Sequence, residues 1–232
     1  MAKGRSLLVW LHVVTSVGWM SQAIALFALL SYGLNADRPA TRHSAYTMAE
    51  VLDTHVLLYL ANGSAFTGLM LAALTPWGYF RYWWVLVKFA ITVSQLTLGI
   101  VLLSPALAAA AAGRETQIGR LTAASLLMVS AIAFQAWISV AKPWPRTPWS
   151  RRDRADRLAR RQLLAQPRPA VRGAARGTPG WLYMAATVIP VTDYLLWTGL
   201  FGVPMPALQL LAALSLPIWR ARRARMAQPA PA

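Results

Sequence analysis

The chain has no cysteine, which removes disulfides, thiolate zinc sites and cysteine-ligated iron–sulfur clusters from consideration. Charge is scarce, at 13% of residues, where an ordinary soluble domain carries about a quarter. Acidic residues are scarcer still: seven Asp and Glu stand against 23 Lys and Arg, for a net charge of +16. No P-loop, nucleophile elbow or HExxH zinc motif occurs. The histidines, three in all, show no metal-ligand spacing. What remains is apolar: 57% of the 232 residues are hydrophobic. They gather into runs of about 20, the length a helix needs to cross a bilayer. The expected fold is an all-α, polytopic transmembrane bundle.

The apolar runs predict six helices, over 6–32, 48–74, 82–103, 121–140, 181–200 and 207–219. The first run is too long for the apolar core of a signal peptide, so it reads as an uncleaved membrane helix. The sixth is short for a full crossing and would need tilt or local thinning. Four domains are expected. Residues 1–140 form a four-helix transmembrane bundle and 141–180 a basic cytoplasmic loop. Residues 181–219 form a helical hairpin and 220–232 a basic disordered tail. Part of the loop, Arg151 to Leu164, has the pattern of an amphipathic surface helix. The stretches "GLNADRPATRHSAYT" and "SPALAAAAAGRETQIGR" read as loops or linkers, and "TPWGYFR" as a tight turn.

Cytoplasmic segments of membrane proteins are enriched in Lys and Arg. With six crossings and an inside N-terminus, 19 of the 23 basic residues fall on the cytoplasmic side, leaving only Arg38, Arg42, Arg114 and Arg120 outside. This predicts both termini in the cytoplasm of a bacterial-type inner (plasma) membrane. It also accounts for the basic charge without nucleic acid. The expected partners are the bilayer itself and anionic lipid headgroups at the basic loop, with a membrane protein or a second copy as further possibilities.

Ionisable side chains inside a membrane are costly and tend to face the bundle interior. His12 and Lys88 each lie about six residues into a helix entering from the same side, roughly 9 Å deep at 1.5 Å per residue. Each opens a polar stripe at helical spacing: His12, Ser16, Trp19, and Lys88, Thr92, Gln95, Gly99. The two stripes could face one another. The bland alternatives are a hydrogen-bonded bundle histidine and a lysine snorkelling to the headgroups beside Tyr82, Trp83 and Trp84. A second polar group lies nearer the outer side: Asp53 and His55 with Glu50, and Asp193 in the fifth helix. It could accept protons or bind a cation, or it could be a solvated helix start with a structural partner for Asp193. His12 and His55 differ in depth by roughly 10–15 Å in a 30 Å core, so they do not suit a two-histidine haem clamp. A single axial histidine remains open.

The stretches "LLVWLHVVTSVGWMSQAIALFALL" and "TPWGYFRYWWVLVKFAITV" resemble the "LH…W.G" first helix and aromatic–"VK" third helix of a superfamily of small integral-membrane proteins. It includes the membrane domain of copper-resistance protein D and the membrane protoporphyrinogen oxidase. The resemblance is nearest to an uncharacterised branch of predicted integral membrane proteins, a domain of unknown function, and spans about residues 6–140. It implies a four-helix core. Through the oxidase branch it implies haem b, with His12 as axial ligand and Lys88 as counter-charge to a propionate, and a redox or haem-related role. Met20 and Ser21 stand where small, glycine-rich residues are usual in the superfamily. Whether the chain is an enzyme is left open. Two other classes remain: a small-solute or ion permease using Asp193, His55 and Gln95, which Pro190 would serve as a helix break, and a non-catalytic accessory subunit of a larger membrane complex.

Overall fold

The computed structural model describes residues 2–75, 77–114, 116–150, 158, 180–201 and 207–226. Among these residues the fold is all-helical, with one isolated antiparallel bridge between Tyr82 and Arg146 and no strand. The helices are α1 (Ala2–Leu34), α2 (Pro39–Leu74), α3 (Trp83–Ala111), α4 (Ile118–Ala141), α5 (Gly180–Phe201) and α6 (Ala207–Met226). Four of them, α1 to α4, are long and apolar enough to cross a membrane. The expected amphipathic helix in the basic loop lies outside the described residues, Leu158 apart.

Several helices are longer than their apolar runs. α2 begins at Pro39, inside the predicted loop. Proline suits the first helical position, since its missing N–H would be unpaired there anyway, and Arg38 before it is extended (φ −85°, ψ 124°) as proline demands. The added turns are polar but bury Ala45 and Tyr46. α3 likewise runs on through Ala111 rather than ending at Leu103. α6 continues through Arg220–Met226, where a disordered tail is predicted. Alanine and arginine are strong helix formers, and no proline intervenes before Pro229. α5 runs unbroken through Pro190, so that residue supplies no discontinuous helix.

Two of the long helices carry a π-turn. In α3 it spans Gly99–Leu103, with the Ser104 N–H reaching back to the Gly99 carbonyl. Pro105 follows directly, and its lack of an N–H and clash with the preceding turn account for the wider winding. In α2 the π-turn spans Asp53–Leu57. Side chains add hydrogen bonds to carbonyls just before this turn: Thr54 Oγ1 donates to Glu50 O (2.8 Å), and His55 Nδ1 lies 3.2 Å from Val51 O.

Contacts group the chain into two units. One comprises Val9–Gly68 and Lys88–Ala141. Its core holds a cluster of Leu26, Leu30, Tyr46, Ala49, Leu107, Ala110, Ala111 and Leu121, drawn from α1 to α4. A second cluster joins Trp19, Ala23, Ala61 and Ile132. Apolar side chains also cover the outside: Val17 is 53% exposed and Leu127 67%. Apolar surface of this extent is what lipid-facing helices present.

The other unit comprises Met1–Leu8, Leu69–Val87 and Lys142–Ala232. It contains the turn after α2, where Gly78 takes φ +62° and its N–H reaches Ala72 O (3.0 Å), a glycine helix stop. It also contains the α5–α6 pair. Asp193, 1% exposed, accepts from the backbone N–H groups of Leu208 (2.9 Å) and Gln209 (2.8 Å) at the start of α6. The carboxylate thus takes up orphan donors of the α6 N-terminus.

A candidate functional site around His12 and Lys88

The first helical stripe finds its partners on α2. His12 Nδ1 lies 3.1 Å from Ser64 O and 3.1 Å from Thr67 Oγ1. Ser16 Oγ is 2.7 Å from Ser64 Oγ. The Thr67 hydroxyl donates to Gly63 O (2.6 Å) and toward Ser64 O (3.1 Å). Its proton is therefore committed, and toward His12 it can only accept. The Ser64 carbonyl likewise only accepts. Both partners require the imidazole hydrogen on Nδ1, which leaves the lone pair of the neutral ring on Nε2. Gly68 makes room for the ring. A Cβ at that position would lie 3.0 Å from His12 Cε1, 3.5 Å from Nδ1 and 3.7 Å from Nε2. Trp19, third in the stripe, belongs to the apolar core.

The second stripe finds its partners on α4. Lys88 Nζ donates to Ser139 Oγ at 2.5 Å, and Ser139 Oγ donates to Gln135 O at 2.7 Å. Thr92 Oγ1 donates to Gln135 Oε1 (2.8 Å), Gln135 Nε2 to Gln95 Oε1 (2.6 Å), and Gln95 Nε2 to Met128 O (3.0 Å). Gln95 and Gln135 are both buried. Amides buried in an apolar bundle must be paired, and here each completes the other. Lys88 is half-buried, with its ammonium hydrogen-bonded to α4.

The two stripes therefore do not pair stripe against stripe as the spacing suggested; each takes its hydrogen bonds from a different neighbour. Gly99, last in the second stripe, sits in the α3 π-turn with open space around its Cα. Ser64, Thr67, Gly68, Gln135 and Ser139 were not singled out from sequence. Their signal was present as small or amide residues at i, i+3, i+4 on α2 and i, i+4 on α4.

The outer-side candidates have separate partners. Asp53 is half-buried at the start of the α2 π-turn, one turn on from Glu50. His55 is exposed and spent on its own turn, with Nδ1 also 2.8 Å from Thr54 Oγ1. Asp193 serves the α6 amides; the structural partner expected for it was a hydroxyl or an arginine, and it proves to be backbone. Among the described residues no three His, Asp or Glu side chains come together as a metal-ion site.

No protein-family model, curated protein or solved structure matches this chain.

Proposed function

We propose that this is a multi-pass inner-membrane protein that binds haem b through His12, in a redox or haem-related role. Lys88 is its counter-charge for a propionate. One observation carries the reading: the Nδ1 of His12 is held by the Ser64 carbonyl, so Nε2 offers its lone pair. An axial histidine needs that tautomer, with Nδ1–H bonded to a carbonyl that fixes the ring and raises its basicity. Haem so bound supplies one-electron chemistry. The chain's own part is to orient the imidazole through Ser64, Thr67 and Gly68, and to hold a cation beside it through Ser139. The family resemblance of the first and third helices points the same way.

The orientation belongs to this proposal. Both termini lie in the cytoplasm, with α5 and α6 completing six crossings, supported by the 19 basic residues that this arrangement gathers on one side. His12 and Lys88 then lie near the cytoplasmic face.

The test is the visible spectrum of the detergent-purified protein supplied with haem, oxidised and reduced, beside His12→Ala. A Soret band that reduction shifts, and that His12→Ala abolishes, is expected. A colourless wild type, or an unchanged band in His12→Ala, overturns the reading.

A further inference from the structure

One residue of α2 is gripped from α1 at two points. The Ser64 carbonyl lies 3.1 Å from His12 Nδ1, and the Ser64 hydroxyl lies 2.7 Å from Ser16 Oγ. Ser16 stands four residues on from His12 in α1, so the two share a helical face one turn apart. Ser64 is only 5% exposed. A hydroxyl buried that far needs a partner within the protein, and Ser16 is the partner it has. Either hydroxyl can donate to the other, so the pair closes whichever way round its hydrogen lies.

Around this double grip the helices meet on glycine. A Cβ at Gly63 would lie 3.2 Å from Thr15 Cγ2, and a Cβ at Gly18 would lie 3.0 Å from Leu60 Cδ2. Small residues of this kind let two membrane helices approach closely. Lipid supplies no hydrophobic force between helices, so packing and interhelical hydrogen bonds decide how they sit against one another. The offset along the axis is what matters to His12. A slip of one residue, about 1.5 Å, would stretch a contact such as the one to the Ser64 carbonyl to about 3.4 Å, past the usual N–H···O range. The Ser16–Ser64 bond resists that slip without touching the carbonyl itself.

We propose that Ser16 is a positioning residue of the His12 site. Its hydroxyl pins Ser64, and through Ser64 it holds α1 and α2 at the offset where the carbonyl takes the Nδ1 hydrogen and Nε2 keeps its lone pair. Ser16 acts on the imidazole through Ser64. The inference rests on the reading of His12 as an axial ligand and names the residue that keeps that ligand in register.

The experiment compares the ring ¹⁵N shifts of His12 in the full chain without haem, in the wild type, Ser16→Ala, Ser64→Ala and the double variant. Ser64→Ala keeps the carbonyl and removes only the hydroxyl. Each single variant should lower the ratio of Nδ1-protonated to Nε2-protonated ring about fivefold, the worth of one hydrogen bond. The double variant should fall no further than either single one, since the same bond is broken in all three. Ser130→Ala, which removes an exposed hydroxyl bonded to its own helix at Leu126 O (2.9 Å), should leave the ratio unchanged. An unchanged ratio in both single variants, or losses that add in the double, overturns the proposal. If Ser16→Ala unfolds, Ser64→Ala decides alone. A wild type protonated on Nε2 overturns the axial-ligand reading and this proposal with it. A wild type protonated on Nδ1 but colourless when supplied with haem overturns the haem reading alone, and the variants still decide the role of Ser16.

Discussion

Gly68 is the position where a small perturbation reads out the His12 seat. An added Cβ would meet Cε1 at 3.0 Å, so the ring must give by a few tenths of an ångström. The two Nδ1 contacts, both 3.1 Å, then stretch towards the limit of hydrogen bonding. Weakening them costs about 1 kcal/mol. Replacing a helical glycine by alanine returns about 1 kcal/mol. Gly68→Ala should therefore change stability by less than about 0.5 kcal/mol. Gly68→Leu cannot be absorbed by so small a shift. The imidazole is driven out, losing both hydrogen bonds at about 1 kcal/mol each, and overpacking adds about 1–3 kcal/mol. Less the same helical gain, the net loss is about 2–4 kcal/mol. Reversible unfolding in mixed detergent micelles, followed by near-UV circular dichroism, measures both. Equal stability of Gly68→Ala and Gly68→Leu would refute the close packing of His12 on α2.

Removing the buried cap in Asp193→Ala should destabilise the α5–α6 pair by about 3 kcal/mol, from two bonds to a charged acceptor, while Asp193→Asn, which keeps one acceptor, should lose about half as much; amide exchange at Leu208 and Gln209 reports both. Gln135→Leu orphans Gln95 Oε1 and the Thr92 hydroxyl and should cost about 1–3 kcal/mol. The double variant Gln95→Leu/Gln135→Leu should be less destabilised than the two single losses summed, by at least about 0.5 kcal/mol, and an additive cycle would refute the pairing. In the turn after α2, burial pushes the Tyr79 phenol up from 10.0 to about 12. Its folded value lies above its unfolded one, so its contribution to stability is complete below pH 10 and is lost as pH rises through about 12. Tyr79→Phe should flatten the fall in stability between those limits, and denaturant midpoints measured across that range check it.

Much of this architecture could be read from the residues because apolar length is a crude but robust signal. The spans of α1 to α4 come from it directly. The ends differ where the helix leaves the apolar run: nothing in hydropathy marks Pro39 as a helix start, yet its fixed φ and missing N–H suit the position. The π-turns were invisible, since a turn wider by one residue leaves no compositional trace, although Pro105 gives the one in α3 a cause. At the site, helical spacing marks His12 and Lys88 as polar positions, and each is half-buried with a hydrogen bond to a neighbouring helix. Which helix each faces could not be read from a single stripe. A polar stripe says that a partner exists, and only the packing of Ser64 and Thr67 on one side, and Gln135 and Ser139 on the other, says where. Asp193 shows the same limit: a buried carboxylate predicts a donor, but backbone amides carry no sequence signal.

The account turns on the tautomer of one ring. The most direct measurement is the pair of ¹⁵N shifts of His12 in ring-labelled protein without haem, assigned against His12→Ala to set aside His43 and His55. The expected result is a protonated Nδ1 and an Nε2 with a free lone pair, held at neutral pH by the Ser64 carbonyl. A proton on Nε2 would contradict it, for the ring would then present a donor where a ligand is required.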